Sequence, residues 1–164
     1  MLGFLASCFP SRAKASCVFC DVTKENGFNV QYEDSDYIVF NDRSPAALHH
    51  MLVIPRKHVG SIKALRADDV GKLRAMERIG TERLDALEIP ADKRLMGFHI
   101  PPFNSIDHLH LHVFGLPWRS ELQHAKYPFK PGSSGKEKGW TWFVEIGQAI
   151  RILENGRRVQ VAPC

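Results

Sequence analysis

An α+β fold built on one antiparallel sheet is what this chain predicts, and three observations lead there. Short β-branched and aromatic runs recur between clusters of turn residues. One long segment carries helical periodicity. In the second half, apolar residues alternate with histidines in His108-Leu109-His110-Leu111-His112-Val113-Phe114. Strands on short connections, with the helices set apart, give a sheet of about five strands with one long helix and a C-terminal helix.

The elements follow in order. Asn29 to Glu33 is a short strand, ended by the turn residues Asp34-Ser35-Asp36. Tyr37-Ile38-Val39-Phe40 is the second, broken by Asn41-Asp42-Arg43-Ser44-Pro45. Met51 to Pro55 is the third, closed by its proline. Asp68 to Leu87 is the main helix, because Val70, Leu73, Met76, Ile79, Leu84 and Leu87 recur at helical spacing. Asp68 and Asp69 suit its N-terminal end, and Ile89-Pro90 stops it. Leu95 to Ile100 is the fourth strand and the histidine row the fifth. Residues 123–139 form a loop rich in Pro, Gly, Ser and Lys that matches no phosphate-binding P-loop. Trp140 to Phe143 reads as a short strand, and Glu145 to Glu154 as a last helix capped by Asn155-Gly156.

Composition narrows the class. With 164 residues, the chain suits one domain with its own core. Its 44% hydrophobic and 24% charged residues are those of a soluble globular protein. The net charge of +4 permits an anionic ligand without demanding nucleic acid, and Arg157-Arg158 is only a pair. Cysteines at positions 8, 17, 20 and 164 are too few and too clustered for a disulfide scaffold. No stretch approaches a membrane span. Met1 to Pro10 is apolar, and its basic residues Arg12 and Lys14 follow rather than precede it, which argues against secretion. The first acidic residue is Asp21, so organelle targeting stays open beside a cytoplasmic or nuclear location. Residues 1–15 are expected to be a flexible leader and residues 16–164 a single domain.

Side chains at alternate positions of a strand share a face. His108, His110 and His112 then point one way, and Leu109, Leu111 and Val113 point into the core. The outer two rings stand about 13 Å apart at Cα, too far for one zinc ion with bonds of about 2.0–2.1 Å to nitrogen. Division of labour along the row is the alternative: one ring anchors, one attacks and one holds negative charge. Cys17-x-x-Cys20 is half of a zinc site, and a buried pair of thiols is its simpler reading.

The row, with Asn41-Asp42 and His49-His50-Met51-Leu52-Val53-Ile54-Pro55-Arg56-Lys57-His58, resembles the histidine-triad (HIT) superfamily. The similarity is greatest to the Hint branch, in its third type, which is related to the catalytic domain of aprataxin. It covers Cys17 to Phe114 well and the remainder loosely. The resemblance implies a HIT-like α+β fold, a homodimer, and hydrolysis of P–N bonds in nucleoside 5′-phosphoramidates, with acyl-adenylates as a further substrate class. His110 would be the nucleophile, His112 the donor to the phosphoryl oxygens, and Ser105 a group beside the leaving amine. Asp42 would hold the ribose, although alone it reads as a turn aspartate. Phe19, Phe40 and Leu52 would wall the base, although alone they read as core. Asn104 stands where relatives keep glutamine, and His99 where they keep asparagine; both are assigned to nucleotide binding. The resemblance also implies a structural Zn2+ on Cys17, Cys20, His50 and His108. Trp140 or Trp142 would be the tryptophan that reaches a partner's site. The competing functions are an aprataxin-like hydrolase of DNA 5′-adenylates, a nucleotidyl transferase, and a nucleotide-binding or scaffold protein with little turnover. The first requires a zinc finger after the catalytic domain, and the Cys164 and few histidines, such as His124, that follow the triad are too few to make one.

Overall fold

A computed structural model describes residues 17–164, so the expected leader, residues 1–15, lies outside the described residues. Six strands form one antiparallel sheet: β1 (Val30–Glu33), β2 (Tyr37–Asn41), β3 (Ala47–Pro55), β4 (Arg94–His99), β5 (Leu111–Trp118) and β6 (Phe143–Glu145). Their spatial order is β1-β2-β3-β5-β4-β6. The helices are α1 (Val70–Ala86), the short α2 (Glu121–His124) and α3 (Ile146–Glu154). Among the described residues, no helix is long and apolar enough to cross a membrane.

Strand alternation gives the sheet two unlike faces. Val39, Met51, Val53, Leu111, Val113 and Val144 point to one face and join a single core with the apolar sides of α1 and α3. In α1 that side is Leu73, Met76, Ile79 and Leu84, all fully buried, and each contributes roughly 1.5–3 kcal/mol. The helix ends in a Schellman motif: the Glu88 N–H bonds Asp85 O and the Ile89 N–H bonds Leu84 O. Glu88 takes the left-handed turn at φ 55° that glycine usually fills. Helix α3 starts with a capping box, in which the Glu145 carboxylate accepts from Gly147 N and Gln148 N and the Gln148 side chain accepts from Glu145 N. It ends at Gly156, as its sequence predicts, with φ 67°.

The opposite face carries Phe40, Leu52, His50, His112, Phe114 and His99. Their pairings fix this: Phe40 lies opposite Leu52, Leu52 opposite His112, and His50 opposite Phe114. Among the described residues, neither α1 nor α3 covers this face. The N-terminal turn packs on it through Phe19 and Val22, and the segment after α2 packs on it through Tyr127.

Strands β3, β5 and β6 differ from the sequence reading by more than one residue. The expected sheet of about five strands has six, and β6 closes the outer edge of β4, with Gly97, Phe98 and His99 opposite Glu145, Val144 and Phe143. Strand β6 is Phe143–Glu145 rather than Trp140 to Phe143. A Cβ at Gly97 would lie 2.4 Å from Val144 O, so β6 approaches only because Gly97 has no side chain. Strand β3 begins at Ala47, because Ala47, His49 and His50 find partners in Trp118, Gly115 and Phe114. The ladder of β5 begins at Leu111, since the Leu109 N–H is already given to Val59 O at 2.6 Å. The long polar loop is ordered by side-chain hydrogen bonds within it and to the segments that follow it. Lys138 Nζ donates to Gly139 O and Val161 O, and Gln148 Nε2 to Lys130 O and Glu137 O.

Candidate active site

The expected alternation survives although only His112 lies within the ladder. Leu109, Leu111 and Val113 enter the core, and the three histidines turn to the other side. His108 Nε2–H donates to Pro55 O at 2.8 Å. His110 Nδ1–H donates to His108 O at 2.6 Å. A neutral imidazole has one donor and one acceptor nitrogen, so His110 keeps an unshared pair on Nε2. Burial pushes its pKa down to about 4. The ring is therefore uncharged at neutral pH, with its tautomer fixed for nucleophilic attack.

His112 has the opposite tautomer. The Ala46 N–H donates to His50 Nδ1 at 3.2 Å. His50 Nε2 meets His112 Nδ1 at 2.9 Å, and His112 Nε2 meets His99 Nδ1 at 3.2 Å. His99 Nε2 reaches Lys126 O at 2.9 Å. A backbone amide at one end can only donate and a carbonyl at the other can only accept. Three neutral rings satisfy every link in one direction only, with Nε2–H on His50, His112 and His99. Burial lowers the pKa of His50 to about 3 and also depresses those of His112 and His99. His110 thus presents a lone pair and its neighbour His112, 5.0 Å away between ring centroids, presents an N–H.

A cavity of about 440 Å³ opens over these rings. Its apolar part is lined by Phe19, Phe28, Phe40, Leu52 and Ile106, and its polar part by Asp42, Ser105, His99, His110 and His112. Phe19, Phe28 and Phe40 meet edge to face, with centroids 5.1–6.4 Å apart. Asp42 Oδ1 accepts from Ser44 N at 2.7 Å, while Oδ2 lies 3.6 Å from His50 Nε2. Burial raises the pKa of Asp42. Phe19, Phe40, Leu52, Asp42, Ser105, His99, His110 and His112 therefore come together as expected. Asn104 does not line the cavity. Its amide nitrogen is given to Ile106 O and Asp107 Oδ1 within its own loop. The sequence reading missed Phe28, whose place beside Phe40 depends on the turn at Gly27 (φ 82°). It also missed the Lys126 carbonyl, a backbone group without a residue signature. Trp142 serves its own chain's site, since its Nε1–H donates at 3.1 Å to the same Lys126 O that holds His99.

The cysteine pair requires a correction. Cys17, Cys20, His58 and His108 bring four ligand atoms within 4.8 Å of one another. Cys17 Sγ lies 3.4 Å from His108 Nδ1, and Cys20 Sγ lies 3.3 Å from His58 Nδ1. Zinc bonds of about 2.0–2.1 Å to nitrogen and 2.3 Å to sulfur place tetrahedral ligands about 3.3–3.8 Å apart, so the set fits that ion. His108 also has its Nδ1 free for a metal, because its Nε2–H is tied to Pro55 O. His50 is not a member. It lies opposite Phe114, six residues past His108 along the neighbouring strand, which is about 20 Å of extended chain. His58 follows the proline that ends β3 and returns to the cysteines. The sequence held His58 in view, but without the strand register nothing favoured it over His50.

Comparison with known proteins shows the family to which the chain belongs. Residues 16–127 match the family described as scavenger mRNA decapping enzyme C-term binding. The adenosine 5′-monophosphoramidase HINT3 of Danio rerio is 33% identical over 149 residues, covering 89% of this chain and 87% of that protein. The bifunctional adenosine 5′-phosphosulfate phosphorylase/adenylylsulfatase HINT4 of Arabidopsis thaliana is 37% identical over 114 residues, covering 68% and 78%. A solved HIT family hydrolase from Legionella pneumophila Philadelphia 1 superposes with a TM-score of 0.59 at 25% identity, covering 64% of this chain and 96% of its own. The chain belongs to that matched family, within the histidine-triad superfamily. Its place there is in the Hint branch.

Proposed function

We propose that the protein is a nucleotide phosphoramidase of the adenosine 5′-monophosphoramidase type. The observation that carries this is the hydrogen-bond chain that assigns opposed tautomers, a lone pair on His110 beside an N–H on His112, at the polar end of an aromatic-lined cavity. His110 Nε2 attacks the α-phosphorus, the P–N bond breaks, and its electron pair leaves with the amine, which takes up a proton. Ser105 lies at the cavity to help supply that proton. His112 Nε2–H donates to the phosphoryl oxygen on which charge gathers. Water then displaces the nucleotidyl group from His110 and releases the 5′-monophosphate. Asp42 accepts from the ribose hydroxyls, and Phe19, Phe28, Phe40 and Leu52 enclose a planar base. Relatives that act on adenosine 5′-monophosphoramidates and adenylyl sulfates support a nucleotide substrate.

A structural zinc ion would be held by Cys17, Cys20, His58 and His108, tying the N-terminal turn to the strand that carries His110. A homodimer is proposed as well, and because β6 takes the outer edge of β4 it would not extend the sheet through β4. A dimer would use another surface, and sedimentation velocity reads whether one forms. The decisive experiment is turnover of a fluorogenic adenosine phosphoramidate by wild type and His110→Ala. The variant should lose at least about 10³-fold in kcat/KM. Peptide mass spectrometry of acid-quenched wild type should find the adenylyl group on His110. Amine release that survives the substitution would remove the proposed nucleophile.

A further inference from the structure

Hydrolysis through a covalent intermediate needs two nucleophiles in turn, and the second is water. A group that orients this water and accepts its proton has to lie at the cavity while His110 is bonded to phosphorus. Among the described residues, the titratable ones lining the cavity are Asp42, Arg43, His99, His110 and His112. Arginine stays protonated and has no lone pair to offer. His110 Nε2 is occupied by phosphorus in the intermediate. His112 Nδ1 is engaged by His50 at 2.9 Å, and its other nitrogen is a donor. Asp42 is held by Ser44 N on one oxygen and faces His50 with the other. His99 remains. Its Nε2–H is tied to Lys126 O at 2.9 Å and its Nδ1 lone pair faces His112 at 3.2 Å.

This orientation is that of a general base: one nitrogen anchored to a carbonyl and the other aimed at the reaction. In the free protein, the His112 N–H rests on that lone pair. Once a phosphoryl oxygen takes the N–H, Nδ1 of His99 is released into the same cavity. Tyr127 and Phe143 hold the ring, with centroids at 4.9 and 5.5 Å. Burial keeps the ring uncharged.

We propose that His99 is the base of the second half-reaction, a role that rests on the phosphoramidase reading above. Its Nδ1 takes a proton from the attacking water as the new P–O bond forms. The bond between phosphorus and His110 Nε2 breaks, and its electron pair returns to the imidazole. The His99 imidazolium, still bonded to Lys126 O, then gives its proton to solvent.

The test separates the two halves. Wild type, His99→Leu and His99→Gln are mixed with a fluorogenic adenosine phosphoramidate, and amine release and protein mass are followed from the first turnover. His99→Gln keeps a donor and an acceptor and guards against a folding defect. Both variants should release close to one equivalent of amine in a burst and then turn over about 10²–10³-fold more slowly than wild type. In both, the adenylyl-protein mass should persist, whereas wild type holds little. Equal slowing of burst and turnover without adenylyl-protein, or turnover unchanged in both variants, would overturn the role of His99 alone. Wild type that releases no amine takes down the phosphoramidase reading and this proposal together.

Discussion

At the scale of single residues, His50 governs the chemistry of a ring it does not resemble in role. It gives His112 its polarity because the Ala46 N–H already occupies its own acceptor nitrogen. His50→Phe removes one of the two constraints on the His112 tautomer and leaves only Lys126 O, acting through His99, so the Nδ1–H form becomes populated. The expected outcome is a 10–100-fold fall in kcat with little change in KM. The 15N shifts of His112 should move from a pure Nε2–H form to a mixture. A pure form in the variant would show that His50 does not set the tautomer. The sequence disclosed that three rings share a side, because period-2 alternation is local. It could not disclose which nitrogen of each carries the proton. That is decided by Ala46 N, His108 O and Lys126 O, backbone groups brought in by tertiary structure.

At the scale of elements, strand register decides what sequence spacing leaves open. His49, His50 and His58 all lie within ten residues of β3 and its continuation, and spacing along the chain does not decide which of them meets the cysteines. Pairing of His50 with Phe114 sends it to the catalytic end, while the turn after Pro55 sends His58 to Cys20. Native mass spectrometry of zinc-loaded protein should therefore find one ion in wild type and in His50→Phe, and none in His58→Ala. The reverse pattern would restore His50 as a ligand. The long helix and the second strand were readable because each carries its own hydrophobic period. Residues 123–139 have no period. Their order comes from bonds to distant partners, Val161 O and Gln148 Nε2, that no local pattern announces.

At the scale of the molecule, one sheet face holds the apolar core and the other a cluster of uncharged histidines. Its acid stability follows with a definite sign. In the unfolded chain, these rings take up protons near pH 6.5. In the fold, His50 does so only at about 3, and His99 and His112 are depressed as well. Below about 6.5 the unfolded state binds more protons, so stability is full above that value and lost as pH falls toward 3. Asp42, whose pKa burial raises, acts in the opposite sense. Urea unfolding midpoints should hold steady from pH 8 to 7 and decline continuously from 6 to 4. A flat profile over that range would mean the rings are already charged in the fold.

The pairing of β4 with β6 has a consequence for biogenesis. Strands β1 to β5 are complete by Trp118, yet the strand that borders His99 comes from Phe143–Glu145. A growing polypeptide therefore leaves the ribosome with β4 unzipped along one side until those residues follow. For that interval it is a sticky template for other chains, and its hydrolytic centre lacks the wall that holds His99. Translation must run past Glu145 before the catalyst can assemble.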